Sequence, residues 1–313
     1  MRRMTFGKAI GAVWGLCYAD ILRMLRVRRI VPVALVVLVG AAWAARSLAG
    51  FADTVGVQPH ALDVMFTLFG EGALGFSARI LPATFLILTS DLIAADYVSG
   101  VYHIVQVRLY DRALWWLGKV VTLITIACLF VALILTLSIM FGLWRGYPLS
   151  DSLSDVATFD KALTPVQAQA IAAMNVPGPP INPIPPDGSA WAHAALLVVQ
   201  LSAIYMTMAL IGIVAFMGAR TTIGPAAVAL TITMTTSWVA PWFENPKVVG
   251  WLAFFSRAVT DSQFRLYPNT DPAVVKSALE WIPYTQIDAV FIAAVMALIL
   301  VALGGWRALR LEG

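Results

Sequence analysis

Residues 90–119 read SDLIAADYVSGVYHIVQVRLYDRALWWLGK, and this connector decides how the rest of the chain is interpreted. It leaves one strongly apolar segment, passes through tyrosines and mixed charges, and enters a second apolar segment at Val120. Such a connector is longer than a turn and much shorter than a domain. Its amphipathic pattern predicts a helix on a membrane surface, where a soluble protein could bind to it.

The composition points to lipid as the solvent of this chain. Of its 313 residues, 60% are hydrophobic and only 12% are charged, and the mean hydropathy is +0.83. Soluble domains carry about 25% charged residues, so a water-soluble fold of this size could not hide so much apolar surface. The net charge of +4 indicates loops that face an anionic leaflet rather than a nucleic acid.

Six segments are long and apolar enough to cross a bilayer, which takes about 20 residues. They are residues 30–50, 73–94, 119–143, 191–216, 222–242 and 286–306. With a cytoplasmic N-terminus, thirteen basic residues fall inside and six in the longer outside loops, which predicts that both termini are cytoplasmic. Tryptophans at the ends of these segments predict an interfacial belt: Trp115, Trp116, Trp144, Trp191 and Trp306.

Residues 1–29 precede the first segment and contain an amphipathic pattern. Apolar side chains recur at helical spacing with the charged residues off that stripe: Phe6, Ala9, Ile10, Val13, Trp14, Cys17 and Ile21. A basic amphipathic helix before a span predicts an interfacial elbow helix lying flat on the inner leaflet. The alternative is a short cytoplasmic extension of the first span.

Two long loops, residues 144–190 and 243–285, are predicted to lie on the outer side of the membrane. The first has a helix start at Thr164-Pro165 and ends in a stiff polyproline-like strap, VPGPPINPIPPDG. The second contains VVGWLAFF at residues 248–255, which is too short to span, and a helix start at Asp271-Pro272. These patterns predict external helices that cap the membrane domain.

The sequence has few groups that could perform chemistry. The predicted topology places His60 and His193 on the outer side of the membrane and His103 on the cytoplasmic side, so the three histidines cannot share a metal. Asp91 and Asp96 are five residues apart and therefore lie on different helix faces. There is also no GxxxxGK[ST] motif for a nucleotide. The chain is expected to be non-catalytic, with no metal or cofactor of its own.

The region 91–119 resembles the signature region of ABC-2 type permeases, the membrane subunits of type V ABC exporters. Family members typically show an acidic residue at the end of span two, a Ser/Gly-Thr step, a coupling helix, a basic turn, and Gly-Lys opening span three. The matching positions are Asp96, Ser99-Gly100, Val101–Val107, Arg108 with Asp111-Arg112, and Gly118-Lys119. The chain departs from the pattern where Asp96-Tyr97 replaces Glu-Arg and Val101 replaces Thr.

The resemblance implies a dimeric permease of the bacterial cytoplasmic membrane, paired with itself or a sister permease. ATP and Mg would bind to separate cytoplasmic ATPase subunits, which would engage a coupling helix at about residues 97–111. The implied coupling residues are Asp96, Gly100, Tyr102, His103, Arg108 and Asp111. The alternative for this segment is a solvated loop helix with no partner. The loop 145–190 is longer than the family plan, which suggests an external partner.

Four residues are candidates for a translocation path, which in this family spans two and five flank. Arg79 lies near the outer end of span two and could contact substrate, snorkel to the interface, or form a structural pair. Thr231, Thr235 and Trp238 share one face of span five. The two threonine hydroxyls could line the path, or they could simply hydrogen-bond to a carbonyl of their own helix or to a neighbouring helix.

The sequence as a whole predicts an all-α polytopic membrane protein with six transmembrane helices, an interfacial elbow helix and external helical loops. The function expected from the resemblance is that of an ABC exporter permease. A first alternative is an ATP-independent secondary transporter, since Pro82 in span two and Pro225 at the opening of span five fall in the second helix of each three-span half, although at different depths. No acidic residue lies mid-membrane to carry a coupling ion for it. A membrane-embedded enzyme or a structural assembly subunit is the other alternative.

Overall fold

The computed structural model describes residues 6–70, 76–90, 92, 96, 109–154, 156, 189–219, 227–228, 231, 254–255 and 286–310. Within these ranges the regular elements are all helical. In chain order they are α1 (Phe6–Met24), α2 (Val27–Val55), α3 (Asp63–Phe69), a π-helical turn (Phe76–Ile80), α4 (Leu81–Thr89), α5 (Leu109–Trp144), α6 (Ala190–Ala219) and α7 (Gln286–Arg310).

Four of these helices are long and apolar enough to cross a membrane: α2, α5, α6 and α7. They contain the predicted segments 30–50, 119–143, 191–216 and 286–306, so the chain is an α-helical, multi-pass membrane protein. The other two predicted segments, 73–94 and 222–242, are described only in part and remain predictions. The predicted helices at Thr164-Pro165 and Asp271-Pro272 lie outside the described residues.

Helix α5 is the central element of the bundle, because it contacts α1, α2, α3, α4, α6 and α7. Its 36 residues correspond to roughly 54 Å at 1.5 Å per residue. The hydrocarbon core of a bilayer is only about 30 Å thick. Helix α5 therefore extends beyond the apolar layer, which places its ends among headgroups or in water.

The middle of the bundle is packed by aromatic side chains from three helices. The Tyr205 ring on α6 lies 5.3 Å from Phe85 on α4 and 5.4 Å from Phe130 on α5, centroid to centroid. Phe85 and Phe130 are themselves 5.3 Å apart. All three rings are buried. Edge-to-face and tilted pairs of this kind add to the stabilisation from burial.

The prediction that Trp115 and Trp116 belong to an interfacial belt is wrong, because both are buried, with 2% and 3% of their surface exposed. The Trp116 indole donates a hydrogen bond to the Val301 carbonyl at 2.9 Å. The nearest atom of its ring lies only 2.2 Å from the position that a Cβ on Gly304 would occupy, so a larger residue would clash there. A glycine on α7 thus makes room for an indole that joins α5 to α7. The other three tryptophans, Trp144, Trp191 and Trp306, are exposed.

The end of α5 is closed by loops that pack directly on its backbone. A Cβ on Gly142 would lie 2.6 Å from the Ala61 Cα, so only glycine allows this approach. The Ala61 amide donates to the Pro148 carbonyl at 3.0 Å. In the predicted external loop 243–285, Phe254 and Phe255 are described, and both are buried.

Candidate functional site: a buried charge cluster

Four charged side chains and one tryptophan meet between α1, residue 96 and the first part of α5. They form what we call the charge cluster: Asp20, Arg23, Asp96, Trp115 and Lys119. The Lys119 ammonium lies 2.7 Å from a carboxylate oxygen of Asp20 and 2.7 Å from one of Asp96. Arg23 donates to the other Asp96 oxygen at 3.0 Å. The Trp115 indole N–H donates to Asp96 at 2.8 Å.

The cluster is almost completely withdrawn from solvent. The side chains of Lys119, Asp96 and Asp20 are 3%, 4% and 5% exposed, whereas Arg23 is 29% exposed. Two cations face two anions, so the cluster carries no net charge. Buried ions are tolerated only when each has a close counter-ion and hydrogen bonds. Asp96 meets this condition best, because it accepts from three different side chains.

Helix α1 brings Asp20 into the cluster by turning one face toward α5. Val13, Leu16, Cys17, Asp20 and Met24 follow helical spacing and are buried or half-buried. The predicted apolar stripe is therefore only partly on the inner face, since Ile10 and Trp14 are 43% and 61% exposed. The face that packs on α5 also includes Asp20, a charged residue outside the predicted apolar stripe.

On α5, the residue before Lys119 explains how α1 comes so close. A Cβ on Gly118 would lie 3.2 Å from the Leu16 Cβ, which is closer than most side-chain contacts. Glycine thus lets α1 pack tightly on α5, and the next residue supplies the cation that bridges the two carboxylates. The Gly118-Lys119 pair of the sequence signature has a packing role and an electrostatic role in the same turn.

The two carboxyls respond differently to this environment. Burial raises the pKa of the Asp20 carboxyl above its ordinary value, and the Lys119 ammonium only partly offsets the effect. Burial acts on Asp96 in the same direction, but its three donor partners, with Lys119 the strongest, hold its pKa below the ordinary value. Asp20 is therefore the member of the cluster that takes up a proton first as the pH falls.

A second set of polar side chains lies just after the C-terminal end of α2. The His60 backbone N–H donates to the Asp63 carboxylate at 2.7 Å, and the His60 ring nitrogen Nδ1 is 3.0 Å from the Ser152 carbonyl. Burial raises the pKa of Asp63 to about 6, although the Ser154 hydroxyl and His60 lower it. The His193 ring packs edge-on against Phe66 at 5.0 Å. Among the described residues, no three His, Cys, Asp or Glu side chains could hold a metal ion.

Only one of the predicted coupling residues is placed in a defined environment. Asp96 is buried in the charge cluster, and Asp111 lies in the first turn of α5. The remaining coupling candidates are outside the described residues: Gly100, Tyr102, His103 and Arg108.

The path candidates are not brought together by the described part of the chain. Arg79 is exposed in the π-helical turn. The hydroxyl of Thr231, also exposed, donates to the Ala227 carbonyl one turn earlier at 2.7 Å. Thr235 and Trp238 lie outside the described residues.

Sequence reasoning did not identify Arg23 and Trp115 as partners of Asp96, or Asp20 as a partner of Lys119. Lys119 was recognised in the Gly-Lys signature but not as a counter-ion. The available signal was the pair Asp20 and Arg23, two opposite charges that lie three residues apart and so project from the same side of a helix. Comparison of the chain with protein-family models, curated proteins and solved structures found no match.

Proposed function

We propose that this chain is the membrane-spanning permease subunit of an ATP-driven ABC exporter. Two copies, or this chain and a sister permease, form the translocation path. Each subunit is coupled to a cytoplasmic ATPase that binds ATP and Mg, and both chain termini lie on that side. Helix α1 is the interfacial elbow, and the connector after Asp96 is the coupling helix to which the ATPase binds.

One observation carries this proposal: the charge cluster divides into two neutral pairs. On α1, Asp20 and Arg23 lie 3.7 Å apart, one helical turn from each other. In the rest of the bundle, Asp96 and Lys119 form their own pair at 2.7 Å. If α1 shifts away, neither side is left with an uncompensated charge. The electrostatic cost of the shift is therefore far below the cost of stranding a buried ion.

A contact of this type suits a joint between a motor and a membrane bundle. It specifies one resting position through directed hydrogen bonds, yet it can be broken without leaving a bare charge in an apolar environment. Asp96 is also the last residue before the predicted coupling helix at about 97–111. A displacement of that helix would act on Asp96 and, through Lys119, on α5. Partner binding and ATP hydrolysis would then bias the bundle between inward-open and outward-open states.

The paired state of both carboxylates also argues against the secondary-transporter alternative. A proton- or sodium-coupled carrier needs an acidic group that binds its ion in one state and releases it in another. Within the cluster, Lys119 lies 2.7 Å from each carboxylate, and Lys119 and Arg23 together balance the two negative charges. They act as structural ions rather than as a free ion site.

The first test is the partner. The chain, tagged at its C-terminus with a fluorescent protein that folds only in the cytoplasm, should fluoresce in cells. It should also co-purify from native membranes with an ATP-binding subunit, and the complex should hydrolyse ATP faster than the ATPase alone. A chain that purifies without any ATPase, and that transports on a proton or sodium gradient, would establish the secondary-transporter alternative instead.

The second test is coupling, measured in the purified complex. Gly100→Pro, Tyr102→Asp and Asp96→Asn should each abolish stimulation of the ATPase while the chain still inserts in the membrane. Asp53→Asn is the matched control, because Asp53 is an exposed carboxyl at the opposite end of α2. Wild-type stimulation in all three variants would refute the assignment of this region as the coupling element.

A further inference from the structure

A cavity of about 440 Å³ lies between the beginning of α2 and the end of α4, and no residue of the charge cluster lines it. Two arginines and seven other residues line it: Arg28, Arg29, Pro32, Val33, Val36, Thr84, Ile87, Leu88 and Ser90. Its volume is in the range of sites that bind small molecules. We propose that this cavity binds an anionic phospholipid, with the phosphodiester at the arginines and the start of an acyl chain along the apolar wall.

The cavity has a polar end and an apolar end. Arg28 and Arg29 belong to the first turn of α2, and Val36 lies about two turns further on, roughly 11 Å along the helix axis. Helix α4 contributes the apolar side chains of Ile87 and Leu88 and the hydroxyl residues Thr84 and Ser90 to the lining. The Thr84 hydroxyl donates to the Ile80 carbonyl at 2.8 Å, which leaves its methyl group for the apolar wall.

The depth of the two ends matches the layers of a bilayer. The membrane-crossing part of α2 begins at Val27, so Arg28 and Arg29 are at the boundary where headgroups lie. Below them, Ile87 is 64% exposed on the cavity rim and Leu35 is 55% exposed on α2 beside it, which opens the wall to the acyl layer. A lipid could enter sideways with its headgroup and chain already at the correct heights.

The charge at the mouth favours an anionic lipid over a zwitterionic one. Arg28 is exposed, and its guanidinium can pair with phosphate oxygens through two parallel hydrogen bonds, while the half-buried Arg29 lies next to it in the lining. The first turn of α2 adds to the attraction, because no side chain caps its amide groups and helix beginnings carry a partial positive charge. A choline headgroup would bring its own cation into this positive region.

The test is native mass spectrometry of the full chain released from mixed micelles. These hold equal amounts of palmitoyl-oleoyl phosphatidylglycerol and the matching phosphatidylcholine. The wild-type protein should retain phosphatidylglycerol in preference to phosphatidylcholine. Arg28→Gln with Arg29→Gln should lower that retention about tenfold or more, as expected when charged hydrogen bonds to phosphate are lost. The control, Arg145→Gln with Arg310→Gln, removes the same charge from exposed positions outside the cavity and should retain phosphatidylglycerol like the wild type.

A steric variant separates the cavity from simple surface charge. Val36→Trp fills the apolar end while both arginines remain, and it should also reduce retention of phosphatidylglycerol. Thermal unfolding of each variant checks that the bundle is intact. Inorganic phosphate in excess should not displace the lipid, because it lacks the acyl chain. Equal retention by the arginine pair variant and its control, equal retention of both lipids by the wild type, or displacement by phosphate would each overturn the proposal.

Discussion

Replacing Lys119 with methionine is predicted to lower the free energy of unfolding by about 3–5 kcal/mol, the typical cost of removing one partner from a buried ion pair. The ammonium is 2.7 Å from Asp20 and 2.7 Å from Asp96, and the side chain is only 3% exposed. Methionine keeps an unbranched stem of similar length, so packing changes little. The variant leaves two buried carboxylates with Arg23 as their shared cation, at 3.0 Å from one and 3.7 Å from the other.

A second substitution in the same cluster should recover part of that loss. Asp20→Asn combined with Lys119→Met removes one anion and one cation, so Asp96 and Arg23 remain as a neutral pair at 3.0 Å. The double variant should therefore be more stable than Lys119→Met alone, with a coupling free energy of about 1–3 kcal/mol. The control is Asp53→Asn with Lys119→Met. Asp53 is exposed at the far end of α2, so the two effects should add to within about 0.5 kcal/mol.

The measurement is reversible unfolding of the purified chain in mixed micelles with increasing mole fraction of sodium dodecyl sulfate, followed by tryptophan fluorescence. Five variants (the three single substitutions and the two double ones) and the wild type give the two double-mutant cycles. Either of two results would refute the reasoning. One is a loss below about 1 kcal/mol for Lys119→Met, which would mean that water reaches the cluster. The other is no recovery on adding Asp20→Asn, which would mean that the methionine disturbs packing rather than charge.

Three further predictions concern tight contacts and one buried carboxyl. Gly304→Ala should destabilise the bundle by about 1–3 kcal/mol, because the new Cβ would lie 2.2 Å from a Trp116 ring atom. Gly305→Ala, with that ring no closer than 3.4 Å, is the neutral control in the same thermal unfolding assay. Gly142→Ala should cost at least as much, since its Cβ would meet backbone at 2.6 Å; an unchanged melting temperature would contradict this. Since the pKa of Asp63 is raised to about 6 from 3.8, the folded state binds more protons between these values, and stability should fall as pH rises through that window, by about 3 kcal/mol. Asp63→Asn should raise the melting temperature at pH 7.5 and leave it nearly unchanged at pH 4, and a similar rise at both pH values would rule out ionisation as the cause.

The long apolar helices could be predicted because a helix needs a minimum number of consecutive apolar residues to cross a bilayer, and that number can be counted in the sequence. The predicted segment 119–143 lies within α5, and 286–306 within α7. Their ends differ because charged and polar residues continue the helix past the apolar layer. Helix α5, for example, begins at Leu109, before the lysine that was taken as the start of the span.

The direction of side chains was harder to predict, for a reason specific to membranes. In water, an apolar stripe marks the buried face of a helix, but beside lipid an apolar side chain is stable on either face. Trp14 was therefore assigned to the same stripe as Cys17, although the structure exposes the first and buries the second. In that setting a charged residue is the better indicator of the inner face, since Asp20 must find a counter-ion.

The position of the charge cluster on α5 gives its chemistry a mechanical meaning. On the same part of α5, between Trp115 and Lys119, Trp116 joins α5 to α7 through the Val301 carbonyl. At its far end, Gly142 lies against the backbone of the loop after α2. A continuous helix with close contacts at both ends transmits a tilt from one end to the other, because packed side chains resist compression. The one member of the cluster that solvent reaches is Arg23, at 29% exposure. In the proposed mechanism, a partner that competes for Arg23 would weaken the contact between α1 and Asp96.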